Sequence, residues 1–316
     1  MKQFSVKILF VAVISLLTLL PSQAAGGKGE LLIGGNGGVS LFSLGNKTTL
    51  GTSQLGLNYG FGLEYNANLF SNRKFGLGLV IGVKYRSLSG TVTLDNFSQD
   101  KALNKEIDGA IIRNNFEFYA DIKGYKSTNT LSYLQFPVYF REMFYISRGC
   151  AWFLEEGVNL GYGLKGRTEN TIDQLRTRGY FPEANVSIDD IKFRGFGSWN
   201  NISFSNESKL NFAADAHLET GVKVHFAGFG VIYIGIYADY ALLQSYKEVS
   251  SGDFGGDLVQ YQTDKPGEFK YAPSLYKSKY GDSRLHPLSF GLSLRLGLNF
   301  DRMSLGNGRP MYEDRH

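Results

Sequence analysis

One cysteine, seven prolines and two tryptophans occur in 316 residues. A single thiol makes neither an internal disulfide nor a thiolate metal cluster, so packing and backbone hydrogen bonds must hold the fold. Charge is also sparse and nearly balanced, with 33 Lys+Arg against 29 Asp+Glu, a net charge of +4, and no basic run. That excludes the electrostatic footprint of a nucleic-acid binder. After the N-terminus, no segment approaches the roughly 18 consecutive apolar residues of a membrane helix. The N-terminal exception reads as a secretory signal over residues 1–24. Lys2 and Lys7 precede an apolar stretch from Ile8 to Leu20, Pro21 ends it, and Ser22-Gln23-Ala24 offers a cleavage site. No cysteine follows that stretch, which excludes a lipoprotein anchor. Cleavage leaves 316 − 24 = 292 residues and a net charge of 4 − 2 = +2. Glycine, by contrast, is abundant at 39 residues, with 24 Phe and 19 Tyr. There is no G-X-Y period, and so much apolar and aromatic surface demands burial.

The dominant pattern has period two. Leu288, Phe290, Leu292, Leu294, Leu296, Leu298 and Phe300 fall on one parity; Ser289, Gly291, Ser293, Arg295, Gly297, Asn299 and Asp301 fall on the other. Successive strand side chains point to opposite faces, so this is a strand with one apolar and one polar side. The same alternation runs through 54–69, 75–86, 132–146, 152–165, 210–225 and 230–242, with a weaker copy at 31–42. These eight segments exceed ordinary globular strands and suit the 9–11 tilted residues that cross a bilayer. Glu142 and Glu156 sit on the apolar parity, which calls for a bulge or a position near a membrane surface. Pro137 lacks a ladder donor and is expected at a bulge.

Three observations turn the apolar face toward lipid rather than inward. First, the connections alternate in length. Ser71-Asn72-Arg73-Lys74, Ser147-Arg148-Gly149 and Ala227-Gly228 are short, whereas 87–131, 166–209 and 244–287 are long. Short periplasmic turns and long extracellular loops belong to outer-membrane barrels. Second, Phe70, Phe75, Phe144, Tyr145, Trp152, Phe226, Phe229 and Phe300 gather at the short-turn rim as an interfacial girdle. Third, the polar face mixes glycine with both charges: Glu64, Glu155, Asp215, Glu219 and Asp239 against Lys84, Arg86, Arg141, Lys223 and Arg295. An eight-strand barrel has room inside only for side chains, and there such charges pair while glycine admits the long ones. The expected fold is all-β: an eight-stranded antiparallel up-and-down transmembrane barrel over 25–301, with ten strands as the fallback and a periplasmic tail at 302–316. A soluble, lipocalin-like barrel is the opposing reading.

Tyr133-Leu134-Gln135-Phe136-Pro137-Val138-Tyr139-Phe140-Arg141, followed by Trp152-Phe153-Leu154-Glu155-Glu156-Gly157, resembles the "YLEIPL…K" and "FLEAG" pattern of PorT-like outer-membrane proteins. Pro287 to Phe300 is similar to the terminal strand of the broader OmpA-type barrel group. The similarity spans roughly 30–300. Gln135 and Phe136 replace the Glu and Ile of the pattern, and a tail follows the last strand. The resemblance implies an integral outer-membrane barrel of a Gram-negative cell envelope. It carries no settled biochemical activity, and it implies an association with protein secretion in some relatives.

Asp215, His217 and Glu219 stand at i, i+2 and i+4 on the polar parity, so they are same-face neighbours. The triplet admits a rim catalytic pair or a metal site. The blander reading, a satisfied lumen network with Lys223, Arg295 and Arg141, is preferred because interior charges must pair. The expected lumen network is therefore Glu64, Lys84, Arg86, Arg141, Glu155, Asp215, His217, Glu219, Lys223, Asp239 and Arg295, with no catalytic residue, metal or cofactor. No G-x-S-x-G elbow occurs. Gly34-Gly35-Asn36-Gly37-Gly38 lacks the helix and Lys-Ser/Thr of a phosphate loop. Cys150 reads as a free thiol in a turn. Alternation over Asn114–Tyr125 has strands projecting past the membrane, and the long connections carry Tyr125, Tyr180, Phe181, Phe193, Phe196, Trp199, Tyr261, Tyr271 and Tyr276. Loops that long are commonly functional. The expected function is a non-enzymatic structural or surface-interaction role, with a rim enzyme and a small-solute channel as alternatives. Expected partners are outer-membrane lipid, the barrel-insertion machinery, and a protein or glycan at the loops.

Overall fold

The computed structural model describes residues 29–42, 51–99, 101–108, 111–147, 149–226, 230–243, 256–278, 280 and 286–299. The signal segment, the tail, the Ala227-Gly228 turn, Phe229 and Phe300 lie outside the described residues. The strands in chain order are β1 (Gly29–Leu41), β2 (Thr52–Gln54), β3 (Gly56–Ser71), β4 (Phe75–Ser98), β5 (Ala102–Asp108), β6 (Ile111–Ser147), β7 (Cys150–Phe181), β8 (Val186–Ile188), β9 (Gly197–Ser208), β10 (Ala213–His225), β11 (Gly230–Ala241), β12 (Val259–Tyr261), β13 (Phe269–Tyr271) and β14 (Leu288–Asn299). Eight of them close an antiparallel ring, β1–β3–β4–β6–β7–β10–β11–β14, sealed where β14 returns to β1.

The register shows how the ring closes. From Phe75 the pairing runs through Phe144, Trp152, Val222, Ile234, Leu294, Gly35 and Phe61, and reaches β4 again at Tyr85. The stagger is 85 − 75 = 10 residues over eight strands. With ~3.3 Å per residue and ~4.8 Å between strands, that sets a tilt of about 40°. The row marks the outward face. Leu292, Leu294 and Leu296 are 66%, 54% and 51% exposed, so the barrel is apolar outside. A soluble barrel needs these leucines inside, and their direction excludes it. Phe70, Phe75, Phe144, Trp152 and Phe226 ring the short-turn rim. Tyr59, Phe61, Tyr85, Tyr162 and Tyr240 form a second aromatic belt at the opposite rim. Ten tilted residues on β4 separate the two belts by about 25 Å, the height of a barrel's lipid-facing band.

The connections 87–131 and 166–209 are largely strand. β4, β6 and β7 run on past the barrel rim, and the polarity of their faces inverts. Below the boundary Tyr85 faces out and Arg86 in; above it Ser89, Thr91 and Thr93 face out, while Leu88, Val92 and Leu94 are buried. The same strands are inside-out in lipid and conventional in water. On β7 the transition carries a bulge: Ser132 pairs Lys165 but Tyr133 pairs Gly163, leaving Leu164 as the extra residue. β5 continues the line of β4 along β6, and β8 and β9 return along β7.

A crease crosses this four-stranded extension. Asp95, Gly124, Asp173 and Asn201 lie on one line where the pairing skips a step on three successive ladders. Gly124 and Asn201 take φ of 62° and 54° there. Below the crease Leu94, Tyr125 and Ile172 are buried; above it Phe97, Ile122 and Leu175 are buried, so inside and outside change parity together. An added Cβ on Gly124 would stand 2.0 Å from an Asp173 carboxylate oxygen.

Of the two readings of Glu142 and Glu156 the bulge falls away, leaving a position near a membrane surface, and the expectation at Pro137 needs correction. Glu142 pairs Leu77 and Leu154, and Glu156 pairs Phe140 and Leu218, all without a register shift. Both glutamates therefore face outward with no bulge. Pro137 keeps its register with Asn159, but the β4–β6 pairing skips from Ile81–Val138 to Lys84–Gln135. The missing donor leaves a gap in the ladder, not a bulge.

Candidate functional site

The lumen begins with glycine. Gly34 faces Arg295, Gly62 faces Lys84 and Gly82 faces Glu64 on neighbouring strands. A Cβ at these glycines would lie 2.5, 2.6 and 3.0 Å from the Cγ of each partner. The missing side chains make the space through which the long charged ones cross the barrel.

Arg295 is the hub. Its guanidinium donates to Glu64 and Glu155 at 3.0 Å each and to Glu219 at 2.5 Å. Lys84 pairs Glu64 at 2.9 Å, and Arg141 holds Glu155 at 2.5 Å. Ser293 donates to Glu219. Nearer the projecting sheet, Arg86 binds Asp215 at 3.1 Å and Asp239 at 2.9 Å and donates to Ser289. Gln135 donates to Asp215 at 2.7 Å. At the short-turn end, Lys223 pairs Glu30 at 2.5 Å, and the Tyr233 hydroxyl donates to the same carboxylate. The Arg141 guanidinium lies 4.5 Å over the Tyr233 ring. All eleven residues singled out from the alternating pattern point into this one cluster, and all but Lys84 are below a tenth exposed.

The structure rearranges the triplet on β10. His217 sits directly across from Asp239 on β11, and its Nδ1 is 2.5 Å from that carboxylate. Asp215 belongs instead to Arg86 and Gln135. The imidazole stacks on Tyr139 at 4.1 Å between centroids, and its Nε2 lies 3.6 Å from Glu219. Ser293 addresses Glu219 and not the imidazole. Glu155, His217 and Glu219 place potential ligand atoms within 4.8 Å of one another. Both carboxylates already receive Arg295, whose guanidinium holds the place a cation would take. Six buried carboxylates face five Lys and Arg side chains, and His217 is the sixth basic group of the described lumen. The alternating pattern did not single out Glu30, Tyr139, Asn159 and Tyr233. Tyr139, Asn159 and Tyr233 fall on the polar parity of their segments but carry no charge to mark them for the network, and Glu30 precedes the weak first segment at 31–42.

Both ends of the lumen are packed. Leu32, Met143, Phe153, Val231 and Tyr233 form an apolar plug on the short-turn side. Tyr145, expected in the aromatic girdle, packs against this plug. On the other side the projecting sheet and the segment 256–280 build a larger core that includes Phe116, Phe118, Tyr125, Leu175, Phe196 and Tyr276. The β12–β13 hairpin is fastened there by Gln99, which donates to the Val259 carbonyl at 2.8 Å and accepts from its amide at 3.0 Å. Asn170 donates to the Pro273 carbonyl at 3.0 Å, and Tyr276 donates to that of Phe42 at 3.3 Å. Of the aromatics expected on the connections, most are in this core; Phe193 is 76% exposed, as is Leu103 at 72%, near the tip. On the outer face, hydrogen bonds from Lys101 and Tyr119 hold the Glu117 carboxyl below the ordinary glutamate range. Arg178 lies 4.7 Å over the Tyr119 ring. Cys150 is a half-buried free thiol at the start of β7.

No family model matches the chain, and no curated protein matches it. Among solved structures it is similar to Ail, the attachment invasion locus protein of Yersinia pestis, at 10% identity over 87% of this chain and 99% of that one, with a TM-score of 0.26. A second structure of Ail, in complex with the heparin analogue sucrose octasulfate, aligns at 11% identity over the same shares, with a TM-score of 0.24.

Proposed function

We propose that the chain is a non-enzymatic outer-membrane protein whose barrel is an anchor and whose projecting cap is an interaction surface outside the cell. The observation that carries this reading is the inversion of polarity on β4, β6 and β7. Three strands leave the lipid band and continue as a water-facing sheet with its own core. The opposite rim has short turns, such as the one in which Asn72 accepts from the Lys74 and Phe75 amides at 2.8 Å each. A lumen crossed by Arg295 and closed by packed residues supports anchoring over conduction. The burial of His217 under the cap supports a structural role over catalysis. The partner class at the cap is a protein or a glycan, and a link to secretion follows from the PorT-like resemblance alone.

Protease digestion of intact cells tests the reading. The cap should be cut within 182–196, which carries the turn between β8 and β9, while the β3–β4 turn at 71–74 stays intact. Cleavage at 71–74 with a protected cap would refute it.

A further inference from the structure

We infer that the outer wall around Glu142 and Glu156 binds the ammonium headgroup of an aminophospholipid from the leaflet on the short-turn side. The inference rests on the reading of this wall as lipid-facing. It starts from depth. Phe144 and Trp152 belong to the short-turn girdle. Glu142 lies two residues above Phe144 on β6, and Glu156 lies four above Trp152 on β7. At ~3.3 Å per residue and a tilt of about 40°, those steps lift the acids about 5 and 10 Å into a band about 25 Å tall. A place near the membrane surface therefore accounts for Glu142, but Glu156 reaches that surface only where it dips.

The wall itself offers these acids no compensation. Between the two aromatic belts the described outward positions are apolar or aromatic except Glu142, Glu156 and Thr220. Thr220 already donates to the Phe153 carbonyl at 2.9 Å. Neither glutamate has a hydrogen bond or ion pair among the described residues. A carboxylate in hydrocarbon is costly, and such residues mark sites that hold a partner. The bilayer supplies one of the right charge. Glu142 pairs Leu154, and Glu156 stands two residues beyond Leu154 on the same face, so the acids are diagonal neighbours about 7–8 Å apart. An ammonium with three N–H donors can bridge two flexible carboxylates at that spacing through charge-assisted bonds of about 2.8 Å. A trimethylammonium has no donor to give, and a purely anionic headgroup has the wrong sign. No Lys or Arg faces outward between the belts among the described residues, so a second copy sets acid against acid. Drawing the leaflet surface up along β6 and β7 is the lesser cost, because bilayers thin locally more readily than a charge stays stranded.

The test uses the full mature chain refolded in vesicles of equal parts phosphatidylethanolamine, phosphatidylcholine and phosphatidylglycerol. EDTA is present, so that no divalent cation links lipid phosphate to carboxylate. Native mass spectrometry counts the lipids that stay bound in mild detergent. The wild-type barrel should retain phosphatidylethanolamine at least fivefold over phosphatidylcholine. The double variant Glu142→Gln with Glu156→Gln should bring that ratio within twofold of unity while keeping the gel mobility of a folded barrel. A nitroxide on Leu154→Cys, in a Cys150→Ser background, reads the dip; Leu296→Cys is its control. The register joins Leu154 to Leu292 through Thr220 and Ile236. The row climbs by about as much over those three strands as β14 descends from Leu292 to Leu296, so the two labels share a height. Collisions with a water-soluble nickel chelate should be at least threefold more frequent at 154 than at 296, and equal in the double variant. Equal retention of the two lipids, a preference for phosphatidylglycerol, a preference that survives both Gln substitutions, or equal collision rates in the wild type would each overturn the inference. These readouts hold whichever end of the barrel faces outward, so failure of the site and failure of the topology remain distinguishable.

Discussion

Arg295→Met should be among the most damaging single substitutions in the barrel. Methionine keeps much of the length but removes a guanidinium shared by three buried carboxylates, at 3.0, 3.0 and 2.5 Å. Glu64 retains Lys84 and Glu155 retains Arg141, while Glu219 keeps Ser293 and His217. Breaking a buried pair by deleting one partner costs about 3–5 kcal/mol, because the survivor stays charged and desolvated. The substitution is expected in that range, most of it at Glu219, whose remaining partners include no Lys or Arg. Adding Glu219→Gln should then recover at least about 1.5 kcal/mol, since it removes the stranded charge. Reversible urea unfolding in lipid vesicles, followed by the gel-mobility difference between folded and unfolded barrel, measures both. A loss below about 1 kcal/mol, or a double variant no more stable than the single one, would show that the network is not what fills and fixes the lumen.

Four further outcomes follow from named contacts. Gly34→Val places a Cβ 2.3 Å from the Leu294 carbonyl and 2.5 Å from Arg295 Cγ; overpacking of this kind costs on the order of 3 kcal/mol, and the folded fraction after dilution from urea should drop accordingly. Gly124→Ala puts a side chain at φ 62°, a strain of about 1–2 kcal/mol before the Asp173 clash; limited proteolysis should quicken in the cap, with the barrel's unfolding midpoint unchanged. Gln99→Ala removes both hydrogen bonds to Val259, worth about 1–3 kcal/mol in total, and amide exchange over 258–276 should accelerate while β10 and β11 stay as they were. Glu156→Leu replaces an outward acid between Phe140 and Leu218; stability in vesicles should rise by about 1 kcal/mol, and a fall would place Glu156 outside the hydrocarbon.

Much of the barrel was legible because its rule is local. A strand exposes alternate residues to opposite sides, so Leu288 to Leu298 and Phe75 to Tyr85 declare both an element and a face. The same locality hid the cap. Over 87–131 and 166–209 the alternation persists but exchanges faces at Ser87 and changes phase again at Gly124. A reader following one parity sees the signal disappear. Gly124 resembles any other glycine in sequence, and its role comes from a positive φ opposite Asp173. The lumen residues were readable as a set, since buried charges must pair. Their partners were not, because Arg295 meets Glu64, Glu155 and Glu219 from three different strands.

The sequence by itself determined the eight segments, the direction of their greasy side and the sign balance of the interior, all consequences of period-two geometry and of the cost of placing charge in hydrocarbon. Tertiary structure alone decided the stagger of ten, the choice of Asp239 over Asp215 for His217, and the growth of three strands into a capped sheet. Each of these depends on which strands become neighbours and at what offset, and offset is a property of the closed ring that no single segment contains.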